Sequence, residues 1–210
     1  MVEPRGPTAG HDPHAAAARR ARRAGRLLLV EPDAAECAAL GAEGYLEHRE
    51  LAAVRIEFAD RLCHPKSVHY VAPCEHVFRR RWQTSGGWRF PAPELGGAAD
   101  VERCYACLGF ATTDMTSCTE PPGERPAADH LGVMLHFAAA CLEADVRSGT
   151  PSPLLAQFTQ AHLGIWVEEF CLLLFRAGGG GYLCAVTDAT FDAVKRIRCL
   201  CTDSDRADAG

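Results

Sequence analysis

At 210 residues, with hydrophobic side chains at 48% and charged ones at 23%, the chain has the makeup of one soluble globule that buries about 70% of its unfolded surface. Its apolar runs, such as Leu27–Val30 and Cys171–Phe175, fall far short of the ~20 residues a membrane span needs, so stable membrane insertion is not expected. The net charge of −5 divides unevenly: residues 1–26 hold six arginines against Glu3 and Asp12, a balance of +4 that leaves −9 for the rest. An acidic body suits a basic partner and is poorly matched to nucleic acid, which needs a basic face.

Residues 1–26 are rich in Pro, Gly, Ala and Arg and read as a disordered arm. Arg22-Arg23 followed by Leu27–Val30 has the outline of a twin-arginine export signal, but the apolar run is too short, so a flexible arm is expected. Pro32-Asp33 followed by Glu36 starts a capped helix through Leu40, and Leu51, Val54, Phe58 and Leu62 give the next helical stripe. Ala72-Pro73-Cys74-Glu75-His76-Val77-Phe78 places a proline before a helix start, with Val77, Phe78 and Trp82 as apolar surface. Ser85 to Ala99 is dense in Gly and Pro and reads as a loop, after which Asp100 is expected to cap a helix.

Eleven cysteines raise the question of a secreted disulfide scaffold. The count is odd, no secretory signal is present, and several, such as Cys141 and Cys171, sit inside helical apolar patterns, which favours reduced thiols in the cytoplasm. Cys104-x-x-Cys107 stays open between buried thiols, half of a metal site with His64, His69 or His76, and a redox dithiol.

The stretch Glu124–Val146 organises the chain. Pro126 ends what precedes, Asp129 is placed to cap a helix, and Leu131, Leu135, Ala138, Leu142 and Val146 recur on one face. The Asp129-His130 pair is thereby expected near solvent at a helix mouth, where backbone donors and the helix dipole favour binding. Ser148-Gly149-Thr150-Pro151 closes that helix and Ser152-Pro153 opens the next. Gly178–Gly181 lacks the lysine of a phosphate loop and reads as a hinge. Phe191, Val194, Ile197 and Cys201 mark a last amphipathic helix, and residues 202–210 a frayed tail. Strand-like alternation is scarce, so the expected fold is all-α, a single-domain multi-helix globule spanning residues 27–201.

P-x-x-D-H-L-G-V-x-L-x-F, from Pro126 to Phe137, resembles the Asp-His motif of the TorD/DmsD/NarJ chaperones, which mature cytoplasmic precursors of molybdenum redox enzymes. Other stretches follow the order of that family from roughly Leu51 to Ile197. E-F-A-D-R-L (Glu57–Leu62) resembles its acid-aromatic helix, and Ala72–Phe78 its P-Y/W-E/G-S-V-Y/W segment. V-E-R-C-Y-A-C-L-G-F is similar to V-x-x-x-Y-x-x-x-G-h, with h apolar, and Phe158–Phe170 meets F-x-x-x-H-L-x-x-W-x-x-x-F at every lettered position. The chain departs from the pattern at Cys74, where the family prefers an aromatic ring.

The resemblance implies a cytoplasmic chaperone, not an enzyme, that binds the twin-arginine signal peptide and precursor of a molybdopterin oxidoreductase until its cofactor is inserted. It also implies that Ala72–Phe78 lies beside the Asp-His loop and helps to form the peptide groove. A basic, apolar leader needs carboxylates for guanidinium beside a greasy wall. Glu75 and Asp129 are the candidate acceptors, His130 adds a polar contact, and Pro73, Cys74, Val77 and Phe78 line the groove. No cofactor, metal ligand or catalytic residue is assigned, and monomer and helix-swapped dimer are both compatible. The alternatives are an assembly factor that contacts the folded redox subunit, and a Cys/His metal-dependent enzyme.

Overall fold

The structure, a computed structural model, describes residues 12–47, 51–93, 98–113, 115, 125–177 and 180–208, with side chains of the last helix to Thr202. Its helices, in chain order, are α1 (Pro13–Leu29), α2 (Ala34–Ala42), α3 (Leu51–Phe58), α4 (Glu75–Arg79), α5 (Ala99–Leu108), α6 (Leu131–Ser148), α7 (Pro153–Phe158), α8 (Gly164–Arg176) and α9 (Gly181–Asp208). π-helical turns extend α3 through Ala59–Cys63 and join α7 to α8 through Thr159–Leu163. A two-stranded antiparallel hairpin, β1 (Trp82–Thr84) and β2 (Gly87–Arg89), pairs Trp82 with Arg89. The fold is all-α, as expected; the hairpin corrects the reading of Ser85–Ala99 as loop alone.

Residues 13–26 are not a disordered arm. They form most of α1, capped by Asp12, whose carboxylate accepts from the His14 and Ala15 amides, with Pro13 at the first helical position. The buried stripe is made of small residues, Ala17, Ala18, Ala21, Ala24 and Gly25, before Leu28. Alanines at helical spacing carry little hydrophobic signal, yet they let a neighbouring helix come close. A side-chain carbon added at Gly25 would lie 2.8 Å from the Gly132 carbonyl, and one at Gly132 would lie 2.5 Å from Leu29 Cγ. α1 and α6 therefore cross backbone to backbone at these glycines. The arginines of α1 clasp neighbouring helices: Arg22 holds Glu143 of α6 with two 2.6 Å bonds, Arg23 holds Glu43 at 2.6 Å, and Arg20 reaches Asp192 at 3.1 Å. The Arg22-Arg23 pair is thus tied into the globule. Residues 1–11 lie outside the described ones.

Several helix ends match their sequence signals. Asp33 accepts from the Glu36 amide, Ser152 caps α7 ahead of Pro153, and Gly149 ends α6 at φ 70°, a left-handed conformation suited to glycine. Others do not. α5 begins after Ala98, not under an Asp100 cap; Asp100 lies in its first turn and pairs with Arg103. α9 runs on to Asp208, through most of the stretch expected to fray. Val194 and Ile197 of α9 are buried, but Phe191 is half exposed. Most of Thr112–Arg125, and Gly178 and Gly179 of the expected hinge, lie outside the described residues.

Candidate functional site: a short helix between two clefts

α4 is only five residues long, about 7.5 Å, too short to stand alone, and its position is fixed by the loop before α6. Cys74 and His130 form an antiparallel bridge. Around it, the Glu75 amide donates to the Asp129 carbonyl at 3.1 Å and the Leu131 amide to the Pro73 carbonyl at 2.7 Å. The two stretches singled out in the sequence, Pro73–Phe78 and Asp129-His130, are therefore stitched together. The side-chain roles differ from expectation. His130, not Asp129, caps α6: its Nδ1 accepts from the Gly132 amide at 3.1 Å. Asp129 serves α4, its Oδ2 accepting from the His76 amide at 2.7 Å and facing His76 Nδ1 at 2.7 Å.

Neither residue of the Asp-His pair is close to solvent; each is 2% exposed. Burial lowers the His130 imidazole to about 4, against the opposing pull of Asp129, so the ring is neutral and able to accept the Gly132 amide. Burial, reinforced by Asp129, pushes the Cys74 thiol well above its usual value.

Glu75, 3% exposed, is the second buried carboxylate. Its oxygens lie 3.0 and 3.1 Å from His162 Nδ1, and Arg79 Nε donates to it from one turn on. Arg79 also donates to the Ala161 carbonyl at 2.5 Å. Buried carboxylates are costly unless paired, and here both have partners. The sequence motif gave His162 no place in the groove; its contact with Glu75 makes it a member of the site. It rides on the π-helical turn, whose extra residue per turn shifts side chains relative to a regular helix. Its partner lies 87 positions away, and no local pattern announces such a pair.

α4 separates two clefts. On the polar side, a cavity of 180 Å³ is lined by Glu75, His76, Arg79, Asp100, Asp129 and His162, among others. On the apolar side, one of 560 Å³ is walled by Tyr70, Val71, Val77, Phe78, Phe90 and Pro91, with Arg61 and Arg176 also on its wall. Val77 and Phe78 form its floor rather than an exposed grip. Phe78 is buried against Phe90, Trp166 and Phe170, with ring centroids 5.0–6.1 Å apart. Trp82, expected among the apolar residues beside it, stands half exposed on β1.

The Cys104-x-x-Cys107 pair does not converge on His64, His69 or His76 within any group of three donors found among the described residues. Cys104 is half-buried and Cys107 exposed, both with free thiols, so the buried-thiol reading fails for Cys107. Nine described cysteines form no disulfide, whereas Cys63 is disulfide-bonded, a departure from a wholly reduced set.

The fold and site together define a helical protein with a cleft on either side of the short helix α4. The family model described as nitrate reductase delta subunit matches residues 31–172, more than half of the chain, and the chain belongs to that family of redox-enzyme maturation chaperones. No curated protein and no solved structure matches the chain significantly. No described helix is long and apolar enough to cross a membrane.

Proposed function

We propose that α4 and its two clefts form the receptor for the twin-arginine signal peptide of a molybdenum redox-enzyme precursor, held in the cytoplasm until the cofactor is in place. The observation that carries this reading is the pairing of a carboxylate-lined cleft with an apolar one across a single helix. A helix is about 10 Å across with its side chains, a distance that about three extended residues span. A leader with arginines followed shortly by an apolar segment fits that spacing.

Glu75 and Asp129 are already paired, so the incoming guanidinium needs a vacated place. Arg79 marks it: a guanidinium on Glu75, 46% exposed and able to swing away. The leader's arginine takes the position of Arg79 on Glu75 and the Ala161 carbonyl, beside His162. Pro73, Cys74, Asp129 and His130 hold the geometry, while Tyr70 and the Val77–Phe78 floor receive the apolar segment. Arg79→Gln removes the competitor. It is expected to tighten leader binding roughly fivefold, about 1 kcal/mol, the scale of an exposed ion pair. Titration of labelled leader peptide checks it; unchanged or weaker binding contradicts the exchange.

A second reading is favoured by α8. Ile165, Leu172 and Phe175 are 50%, 45% and 64% exposed and fall within one face at helical spacing. That face suits contact with a folded redox subunit, the assembly-factor reading. Capture of leaderless precursor, lost on Phe175→Ser, distinguishes it from leader binding.

A further inference from the structure

Beside the Glu75–His162 pair lies a group that the peptide reading uses only as scaffold. Cys74, His76 and Asp129 are all buried, and one donor atom from each lies within 4.8 Å of the others. We propose that these three side chains form a zinc(II) site whose remaining coordination position opens to the 180 Å³ cleft.

Three observations support the site. The donors come from two segments held rigidly together by the Cys74–His130 bridge and its flanking amide–carbonyl bonds, so their convergence is built into the backbone. Asp129 Oδ1 is buried and has no hydrogen-bond partner among the described residues. An orphaned carboxylate oxygen in the interior costs free energy that a cation would recover. His76 and Asp129 also line the polar cleft, which gives the ion a path in and its fourth position a solvent side.

The donor set is one thiolate, one imidazole and one carboxylate, a mixture of soft and hard ligands that suits zinc better than calcium or magnesium. Tetrahedral zinc, with bonds of about 2.0–2.3 Å, holds its ligands about 3.3–3.6 Å apart. The donors all lie within 4.8 Å of one another, so small side-chain rotations reach that spacing, those of His76 Nδ1 and Asp129 Oδ2 moving apart from 2.7 Å. Binding deprotonates the Cys74 thiol and releases its proton to solvent. The ion would pin the start of α4 to the entry of α6. Cys74 is this chain's own feature, since the motif it resembles carries a ring there.

The test uses the full chain, stripped with chelator and titrated with cobalt(II) as a spectroscopic stand-in for zinc. Equimolar uptake with a thiolate-to-cobalt charge-transfer band is expected, bleached by added zinc, and accompanied by a raised thermal midpoint. Cys74→Ser abolishes the band, whereas Cys104→Ser and Cys107→Ser retain it. Absence of equimolar uptake overturns the proposal, as does a band that survives Cys74→Ser. If Cys74→Ser fails to fold, X-ray absorption on the zinc-loaded wild type decides. A single sulfur in the metal's first shell supports the site, and a shell with none or several refutes it.

Discussion

The crossing of α1 on α6 and the seating of α4 on the Asp129 loop are both close contacts between distant parts of the chain, held by opposite means. At the crossing, two glycines bring backbones together and the surrounding ion pairs sit at the surface. At α4, buried carboxylates and imidazoles meet, and open space remains on either side. The first arrangement closes backbone against backbone. The second leaves open space beside buried polar groups. Burial thus separates architecture from site less well than the combination of buried polar groups with an adjoining cleft.

Substitutions at the two places should part company. Phe78→Ala empties the ring cluster with Trp166, Phe90 and Phe170 and is expected to cost about 3–5 kcal/mol, so any loss of peptide binding will follow unfolding. Tyr70→Ala, on the cleft wall and half-buried, is expected to weaken leader binding while urea melts stay near wild type. Equal stability losses in the two variants would contradict the assignment of Phe78 to core and Tyr70 to cleft. Next in size, Gly132→Val drives a side chain into Leu29 and the Gly25 carbonyl, a loss of about 3 kcal/mol by denaturant unfolding. An unaffected melt would mean that α1 does not cross there.

A smaller effect probes the edge of the crossing. His136 is half-buried beside Arg22 and Glu143; burial, aided by Arg22 and opposed by Glu143, lowers its imidazole from the usual value. A histidine lowered in the fold binds its proton less readily than the unfolded chain does. Its contribution is complete above about pH 6.5 and lost as pH falls below it. With solvent screening, the loss between pH 7 and pH 5 is under about 1 kcal/mol. His136→Gln should flatten that part of the stability profile; an identical profile would remove His136 as its source.

The sequence carried the ends of α2, α6 and α7 clearly, because Asp33, Ser152-Pro153 and Gly149 act on backbone within a few positions of themselves. It also brought Pro73–Phe78 beside Asp129, through the family's ordered motifs and not through any local rule. α1 escaped because its buried stripe is alanine, whose small side chain adds little to an apolar pattern while permitting the close crossing at Gly25. The exchange of caps between Asp129 and His130, and the entry of His162, escaped for another reason. An Asp-His pair before a helix is compatible with either residue as cap. Which one turns away depends on α4, reached only through tertiary contact. The π-helical turn that presents His162 has no composition of its own.

The most direct test is a titration of the full chain with labelled twin-arginine leader, compared with leaders altered in one half at a time. Saturable binding is expected for the intact leader. Replacing its apolar segment with serines should weaken binding more than replacing its arginine pair with glutamines, because the larger cleft is apolar and the guanidinium contact is partly exposed. Saturable capture of leaderless precursor, with no measurable binding of the leader itself, would contradict the account.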